Sequence, residues 1–440
     1  MTTLLIHGGT VIDPASGRHG GYDVLVSDGR ISEITEAAPK GFTGERLDAS
    51  GCWVLPGLVD MHVHLREPGY EYKETVATGT RAAVAGGFTA VACMANTDPV
   101  NDNGAVTEYI LERAAEAALA RVYPIGAVSV GLKGERLAEI GEMHRAGIVA
   151  ISDDGQPVAD AALMRRALEY SRMFNLPVIA HEEDRSLAAD GVMNEGPTAF
   201  RLGLKGIPAA AEEVMIARDI ALLERSGGTL HVAHVSTAGS VELIRQAKGR
   251  GLAVTAEVTP HHFSLTEEAV DGYQTNAKMN PPLRTAADVD AVIEGLRDGT
   301  IDVIATDHAP HHRDEKEVEF ENAANGVVGL ETALCLAFRL TRTARLSVAT
   351  VVRALTVNPA AVLGLPAGRL SPGAAADITI FDPRVTWHVD PEQLQSKSRN
   401  TAFSGWQMDG RVTATLVGGR VVWRVEEKTR RTRQKEHRSV

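Results

Sequence analysis

Apolar positions along the chain fall into two textures. Over the first fifty residues they form short or alternating runs, Leu4–Ile12, Tyr22–Val26 and Arg30–Ile34, cut by Gly8-Gly9, Asp13-Pro14 and Asp28-Gly29. That is the pattern of β-strands joined by tight turns. The same texture returns in Ala376–Phe381 and Ala414–Trp423. The stretch Leu5-Ile6-His7-Gly8-Gly9-Thr10-Val11-Ile12 is echoed by Leu416-Val417-Gly418-Gly419-Arg420-Val421-Val422. Pairing of such segments from opposite ends predicts one small sheet domain built from both termini.

Between these ends, strand-like and helix-like segments alternate. Apolar runs occur at Val54–Asp60, Phe88–Met94, Arg121–Ala127, Gly147–Ser152, Pro177–Ala180, Thr229–Ala233, Ala253–Val258 and Asp302–Thr306. Helical spacing separates most of them, as in Val106–Leu119, Ala161–Met173, Ala211–Leu223 and Val241–Ala247. Continuous apolar runs suit parallel strands buried on both faces. Eight strand–helix units predict an α/β fold, a (β/α)₈ TIM-like barrel carrying a small composite β-sandwich, with a doubly wound sheet as the alternative. The predicted division is 1–52 and 365–424 for the sandwich, 53–364 for the barrel and 425–440 for a basic disordered tail. That tail carries Lys428, Arg430, Arg431, Arg433, Lys435 and Arg438 with few apolar residues.

Composition narrows the function. The 440 residues hold 45 Lys and Arg against 57 Asp and Glu, a net charge of −12, which argues against general nucleic-acid binding. An apolar share of 44% and a charged share of 23% are those of a globular chain. Cys52, Cys93 and Cys335 form no C-x-x-C pair, so a disulfide framework is excluded and a reducing compartment fits. The N-terminus lacks a basic region followed by an apolar core. The longest apolar stretch, Ala82 to Ala95, is too short for a bilayer. A soluble cytoplasmic protein without membrane contact is expected.

In a (β/α)₈ barrel the carboxyl ends of the strands carry the chemistry. Here those ends are His62 to Arg66, Asn96, Ser152-Asp153-Asp154-Gly155, His181-Glu182, His234, His261-His262 and Asp307 to His312. Nine of the fifteen histidines fall there, which a random scatter would not produce. His62 and His64, two apart on a strand, point to one side and can reach one point. Imidazoles joined by acidic strand ends read as a site for zinc or a neighbouring metal.

The candidates exceed the needs of one tetrahedral ion and would serve two: His62 and His64 on one, His181 and His234 on the other. A strand-four carboxylate could bridge, and Asp307 could bind the first metal and shuttle a proton to a leaving nitrogen. Spacing leaves Asp153 and Asp154 undecided, since neighbours on a strand face opposite ways. Arg66 continues the i, i+2, i+4 series if the strand stays extended, and its guanidinium suits a carboxylate. Asn96, Asn280 and His311 offer further polar contacts. An anionic amide or ureide substrate is the expectation.

The segment Gly57 to Gly69, with Ser152-Asp153-Asp154-Gly155, Ala180-His181-Glu182-Glu183, Ala233-His234-Val235-Ser236, Val258 to His262, Ala305 to His311 and Gly329 to Thr332, resembles the bacterial type I dihydroorotases of the amidohydrolase superfamily. The resemblance covers nearly the whole chain except the tail. It implies the reversible cyclisation of N-carbamoyl-L-aspartate to L-dihydroorotate and water in pyrimidine synthesis. It implies one or two Zn²⁺ per subunit, two favoured, with a metal-bridging hydroxide as nucleophile. By motif position the ligands would be His62, His64, Asp154, His181, His234 and Asp307, with Asp154 bridging and Asp307 as general acid/base. Substrate contacts would be His64, Arg66, Asn96, Asn280, His311, Asn325 and Gly326. Residues 308–326 would form a mobile loop.

Two features depart from common patterns. Many superfamily members bridge their metals with a carboxylated lysine on strand four, and Gly147–Gly155 holds none. Relatives usually carry Ala-Pro before the loop-end residue, where this chain has Ala323-Ala324, predicting looser closure. The competing readings are a hydantoinase, dihydropyrimidinase or allantoinase, and an inactive scaffold for aspartate transcarbamoylase. The missing strand-four lysine and the presence of Arg66 argue against the first, and the complete ligand set argues against the second. A homodimer and an aspartate transcarbamoylase complex are the expected assemblies.

Overall fold

A computed structural model describes residues 3–37 and 39–425, and all of the basic tail beyond Val425 lies outside the described residues. The eight apolar runs form a closed parallel barrel. Leu58–Val63, Phe88–Cys93 and Arg121–Pro124 pair in that order. Ile151–Ser152, Val178–Ala180, Leu230–Val232, Val254–Val258 and Val303–Ile304 continue it. Parallel bridges Gly126↔Ile151 and Val63↔His308 join the two sets into a ring.

One expected run proves to be two strands. Val54–Asp60 breaks at Gly57: Trp53–Pro56 belongs to the sandwich, and the barrel strand starts at Leu58 and already includes His62. The break is steric. The Gly57 N–H donates to the Asp377 carbonyl at 2.8 Å, and a Cβ on Gly57 would lie 2.1 Å from the buried Thr89 hydroxyl.

The first barrel strand also changes face. Asp60 pairs with Val91 and Val63 with Cys93, so three steps on one strand oppose two on the next. Such a bulge re-aims the side chains beyond it. Val59 and Met61 pack inside the barrel with Ala90, Ala92, Ile179 and Val303. Past the bulge, Val63 and Leu65 join the outer core beneath the helices. His62 and His64, alternating with them, therefore turn toward the mouth.

The outer helices begin where polar side chains satisfy their free N–H groups. Asn103 caps Gly104–Ala117, Asp160 caps Ala161–Ser171 and Thr237 caps Ala238–Gly249. No helix among the described residues is long and apolar enough to cross a membrane.

Both chain ends build the sandwich. One sheet orders Arg30–Thr35, Asp23–Ser27, Thr3–His7 and Glu45–Asp48. The other orders Arg420–Arg424, Gln407–Val417, Ile378–His388, Trp53–Pro56, Thr10–Asp13 and Arg18–Gly21. Leu4, Ile6, Val24, Ile31, Ile378 and Leu416 fill the space between. The two echoed Gly-Gly segments share this architecture without pairing to each other. Ile378–His388 and Trp53–Pro56 stand between Gln407–Val417 and Thr10–Asp13.

Gly57→Ala should destabilise the protein by about 1–3 kcal/mol, because its methyl group overpacks a closed junction. The midpoint of denaturant unfolding measures this, and an unchanged midpoint would refute the steric account.

Candidate metal centre

The bulged strand places His62 and His64 side by side, with ring centroids 5.5 Å apart. His62 Nδ1 meets Glu257 Oε1 at 2.5 Å, which leaves Nε2 facing Asp154 Oδ1 at 3.3 Å. His64 Nδ1 meets Asn96 Oδ1 at 2.9 Å, which leaves Nε2 3.0 Å from Asp307 Oδ1 and 3.5 Å from Asp154 Oδ2. Each imidazole is thus oriented by a bond on its far nitrogen.

Asp154 is common to two ligand groups. His62, His64 and Asp154 form one, Asp154, His181 and His234 the other, with ligand atoms in each within 4.8 Å of one another. His181 Nδ1 lies 3.9 Å and His234 Nε2 3.6 Å from Asp154 Oδ1. Asp307 stands beside the first group, 3.5 Å from His62 Nε2. Asp153 faces away: its carboxylate accepts the N–H groups of Val128 and Ser129 at 2.8 and 2.9 Å. The two aspartates that spacing left undecided thus occupy different places.

Arg66 arrives by a different route from the one expected. Strand pairing ends at Val63 and Arg66 has φ 63°, so the extended series does not continue. The turn brings its Nε to the Pro310 carbonyl at 3.2 Å and a terminal nitrogen to His311 Nε2 at 3.3 Å. His234 (φ 34°) and Asp307 (φ 46°) also lie in the left-handed region. For non-glycine residues this conformation carries strain, here gathered at the barrel mouth.

Charge balance in the cluster follows from burial and proximity. Burial disfavours a charged His62, yet the carboxylates of Asp154, Glu257 and Asp307 outweigh it and raise the ring's preference for positive charge well above the ordinary range, a preference a metal ion at Nε2 would meet. Burial likewise opposes charge on Asp154, but His62, His234 and His64 keep it ionised well below the usual carboxylate range. Asp307 is lowered in the same way, against burial, by His62 and His64. His181 is pushed down to about 3 by burial and by His234, whose Nε2 lies 2.9 Å from its Nδ1.

The donor set fits metal ions. Of the cluster nitrogens that face Asp154, His62 Nε2 is buried without a hydrogen-bond partner. Leaving such an atom unpaired costs about 1–3 kcal/mol, which a cation would remove. Imidazole nitrogens with a shared carboxylate form a donor set of the kind zinc takes.

Other expected contacts lie around this core. Asn96 touches His64 and donates to the Asp154 carbonyl at 3.4 Å. His311 is buried against Arg66, and burial together with Arg66 pushes it down to about 2, so the ring is neutral. Asn280 and Asn325 line a separate cavity of about 240 Å³ with Glu183, Arg185 and Met279, none of which is a ligand candidate. Gly326 donates to the Lys278 carbonyl at 2.9 Å. Ala324 uses its N–H toward the Glu315 carbonyl at 3.0 Å, a bond that proline could not make, and its own carbonyl accepts from Lys316 Nζ at 2.7 Å.

The remaining strand-end histidines do other work. His308 Nδ1 accepts the Gly329 N–H at 3.1 Å, and His262 bonds Thr259 Oγ1 and the Pro281 carbonyl at 2.8 and 3.0 Å. His261 is buried against His262, and His312 caps the helix Arg313–Lys316.

Sequence reasoning missed Glu257 and Asp60. Glu257 receives His62 Nδ1, His231 Nε2 at 3.2 Å and the His234 N–H at 3.3 Å. Despite burial, His62 and His231 push its carboxyl down to about 2. Asp60 accepts the N–H groups of His62 and Thr306, each at 3.1 Å, tying the first strand to the eighth. A lone acid inside each otherwise apolar strand was the available signal, because buried charges require partners.

Known proteins resemble the chain in sequence and in fold. Residues 51–240 match the dihydro-orotase-like family and residues 200–423 the amidohydrolase family. The chain is 57% identical to the dihydroorotase of Syntrophotalea carbinolica, over 96% of this chain and 100% of that one. It is 60% identical to the dihydroorotase of Anaeromyxobacter sp. strain K, over 95% and 97%. Among solved structures, the L-hydantoinase (dihydropyrimidinase) of Arthrobacter aurescens superposes with a TM-score of 0.86 at 25% identity, covering 96% of each chain. The dihydropyrimidinase of Brevibacillus agri NCHU1002, at 24% identity and a TM-score of 0.83 over 96% and 95%, shares the fold.

Glu257→Gln should cut metal retention by about 10–100-fold, since a neutral amide orients His62 less strongly. Metal content after dialysis against a graded chelator measures it, and wild-type retention would show that Glu257 does not act on the centre.

Proposed function

The chain belongs to the dihydroorotases of the amidohydrolase family, and on that premise we propose that it interconverts L-dihydroorotate and N-carbamoyl-L-aspartate at the Asp154-centred cluster. The observation that carries the reading is one carboxylate shared by two histidine pairs, with a guanidinium nearby at the mouth.

Membership of this family implies a metal cofactor. We assign two zinc ions, which His62, His64 and Asp307 would hold on one side and His181 and His234 on the other, with Asp154 as the shared ligand. When bound, such a pair supplies Lewis-acid activation of water and of the ring carbonyl.

The protein's own groups do the rest. Glu257 and Asn96 fix the His62 and His64 rings so that each turns its Nε2 inward, toward Asp154 and Asp307. Asp307, kept ionised beside His64, takes the proton from the attacking water and returns it to the ring nitrogen as the amide bond breaks. In the reverse direction the Asp307 carboxylate takes the proton from the ureido nitrogen as the ring closes and delivers it to the departing oxygen, which leaves as water. Arg66, anchored through Nε to Pro310, holds a cation for the substrate carboxylate. The neutral His311 adds a hydrogen bond without adding charge. Asn280 and Asn325, which line one cavity together, are assigned to further substrate contacts.

The solved hydantoinases share the fold at 22–25% identity, whereas the named dihydroorotases reach 55–60% over nearly all of the chain. That difference and the fixed Arg66 support a carboxylate-bearing ring over a neutral one. Cys93 and Cys335 are free and buried, which supports a reducing, cytoplasmic setting.

Zinc-loaded protein should turn over L-dihydroorotate and leave hydantoin, dihydrouracil and allantoin essentially untouched, with aspartate transcarbamoylase added in parallel. Turnover of the neutral rings alone would overturn the assignment. Arg66→Ala should lower kcat/KM for dihydroorotate by about 10–100-fold, the worth of a charged hydrogen bond. Asp307→Asn should lower kcat by at least about 100-fold.

A further inference from the structure

We propose that Asn400 is a positioning residue that fixes both ends of the 308–326 segment, and with them His311 and Gly326, for substrate binding. This rests on the dihydroorotase reading of the site. Asn400 lies outside the barrel strands, in the stretch between Ile378–His388 and Gln407–Val417. It is only 4% exposed, and every polar group of its side chain is engaged.

At one end of the segment, Oδ1 accepts the His311 N–H at 3.0 Å and Nδ2 donates to the Ala309 carbonyl at 2.9 Å. At the other end, the same Nδ2 donates to the Gly326 carbonyl at 3.1 Å. The Asn400 carbonyl accepts the Val328 N–H at 2.9 Å. One amide thus clasps the chain where it leaves the eighth strand and where it returns.

The residues before Asn400 fasten it to the segment that follows the first strand. Ser398 Oγ donates to the Lys73 carbonyl at 2.7 Å, and the Lys397 N–H reaches Glu74 Oε1 at 3.1 Å. Ser396 bonds the same Glu74 carboxylate. Lys73 and Glu74 follow the turn that carries Arg66, so residues 396–400 tie the Arg66 turn to the His311 turn. Arg66 and His311 lie 3.3 Å apart, and their separation is set from both sides by this strap.

The amide donor is what matters, because it alone reaches both ends. Asn400→Asp preserves shape and the Oδ1 acceptor but turns an oxygen toward two carbonyls. A space-filling role would tolerate that change and a donor role would not. Asn358 provides a control: its Nδ2 donates to the Asp302 carbonyl at 2.7 Å, away from this segment.

The test uses full-length, zinc-loaded Asn400→Asp, Asn400→Ala and Asn358→Ala at pH 8. Steady-state kinetics with L-dihydroorotate are read beside Tm and amide hydrogen exchange over 308–328. Loss of the two Nδ2 hydrogen bonds in Asn400→Asp, and of all three side-chain bonds in Asn400→Ala, predicts a KM raised at least about tenfold in both variants, with kcat within about threefold. Exchange at His311 and Val328 should accelerate, while Asn358→Ala changes neither KM nor that exchange. An Asn400→Asp enzyme with wild-type KM overturns the proposal, as does a KM shift no larger than that of Asn358→Ala at equal loss of Tm. Should wild-type protein fail to process dihydroorotate, the functional reading falls. The exchange data then judge the clasp separately, and unchanged protection in the Asn400 variants sinks it.

Discussion

Asp154 accepts charge from every side of the barrel mouth, and the surrounding architecture follows from that constraint. Four imidazoles packed out of water lose their hydration, and any that gains positive charge needs a counter-charge beside it. One carboxylate within 4 Å of all four sites on both sides holds them as a unit. Its neighbour Asp153 cannot share that task, since it is committed to the Val128 and Ser129 amides. An acid on strand four must then point inward at one defined position, and the strands on either side must bring their histidines to it.

Geometry around the shared acid is enforced by a second layer of acids. Glu257 reaches three groups of the cluster, and Asp60 joins the first strand to the eighth. Burial pushes the Asp60 carboxyl up to about 7, against the hydrogen bonds that favour its ion. The Glu257 carboxyl, facing two imidazoles, moves the other way. Two buried acids a strand apart thus differ because one meets rings that can carry a proton and the other meets mainly backbone amides.

Much of this was legible in the sequence because periodicity and strand-end chemistry are local. The eight runs announced the barrel, and the histidine pair at 62 and 64 announced a shared target. The residues that escaped are those whose roles depend on partners distant in sequence. Glu257 meets a ring 195 positions away, and Asn400 clasps a segment 74 to 91 positions away. The bulge between Asp60 and Val63 was invisible for another reason. It is a mismatch between two strands, and neither strand records it alone. The same holds for Arg66, whose left-handed turn follows from where pairing stops.

The barrel is threaded between two halves of a single sheet, and this imposes an order on assembly. On a ribosome, Trp53–Pro56 emerges about 320 residues before its partner Ile378–His388. At roughly 5–20 residues per second, one of its edges waits unpaired for on the order of tens of seconds. An open edge of that kind invites association with other nascent chains. The strap bearing Asn400 leaves the tunnel after the barrel is complete, so the mouth is braced last. A chain cut short in translation would own every metal ligand yet lack the brace, and premature release would give a loose, incompletely closed protein.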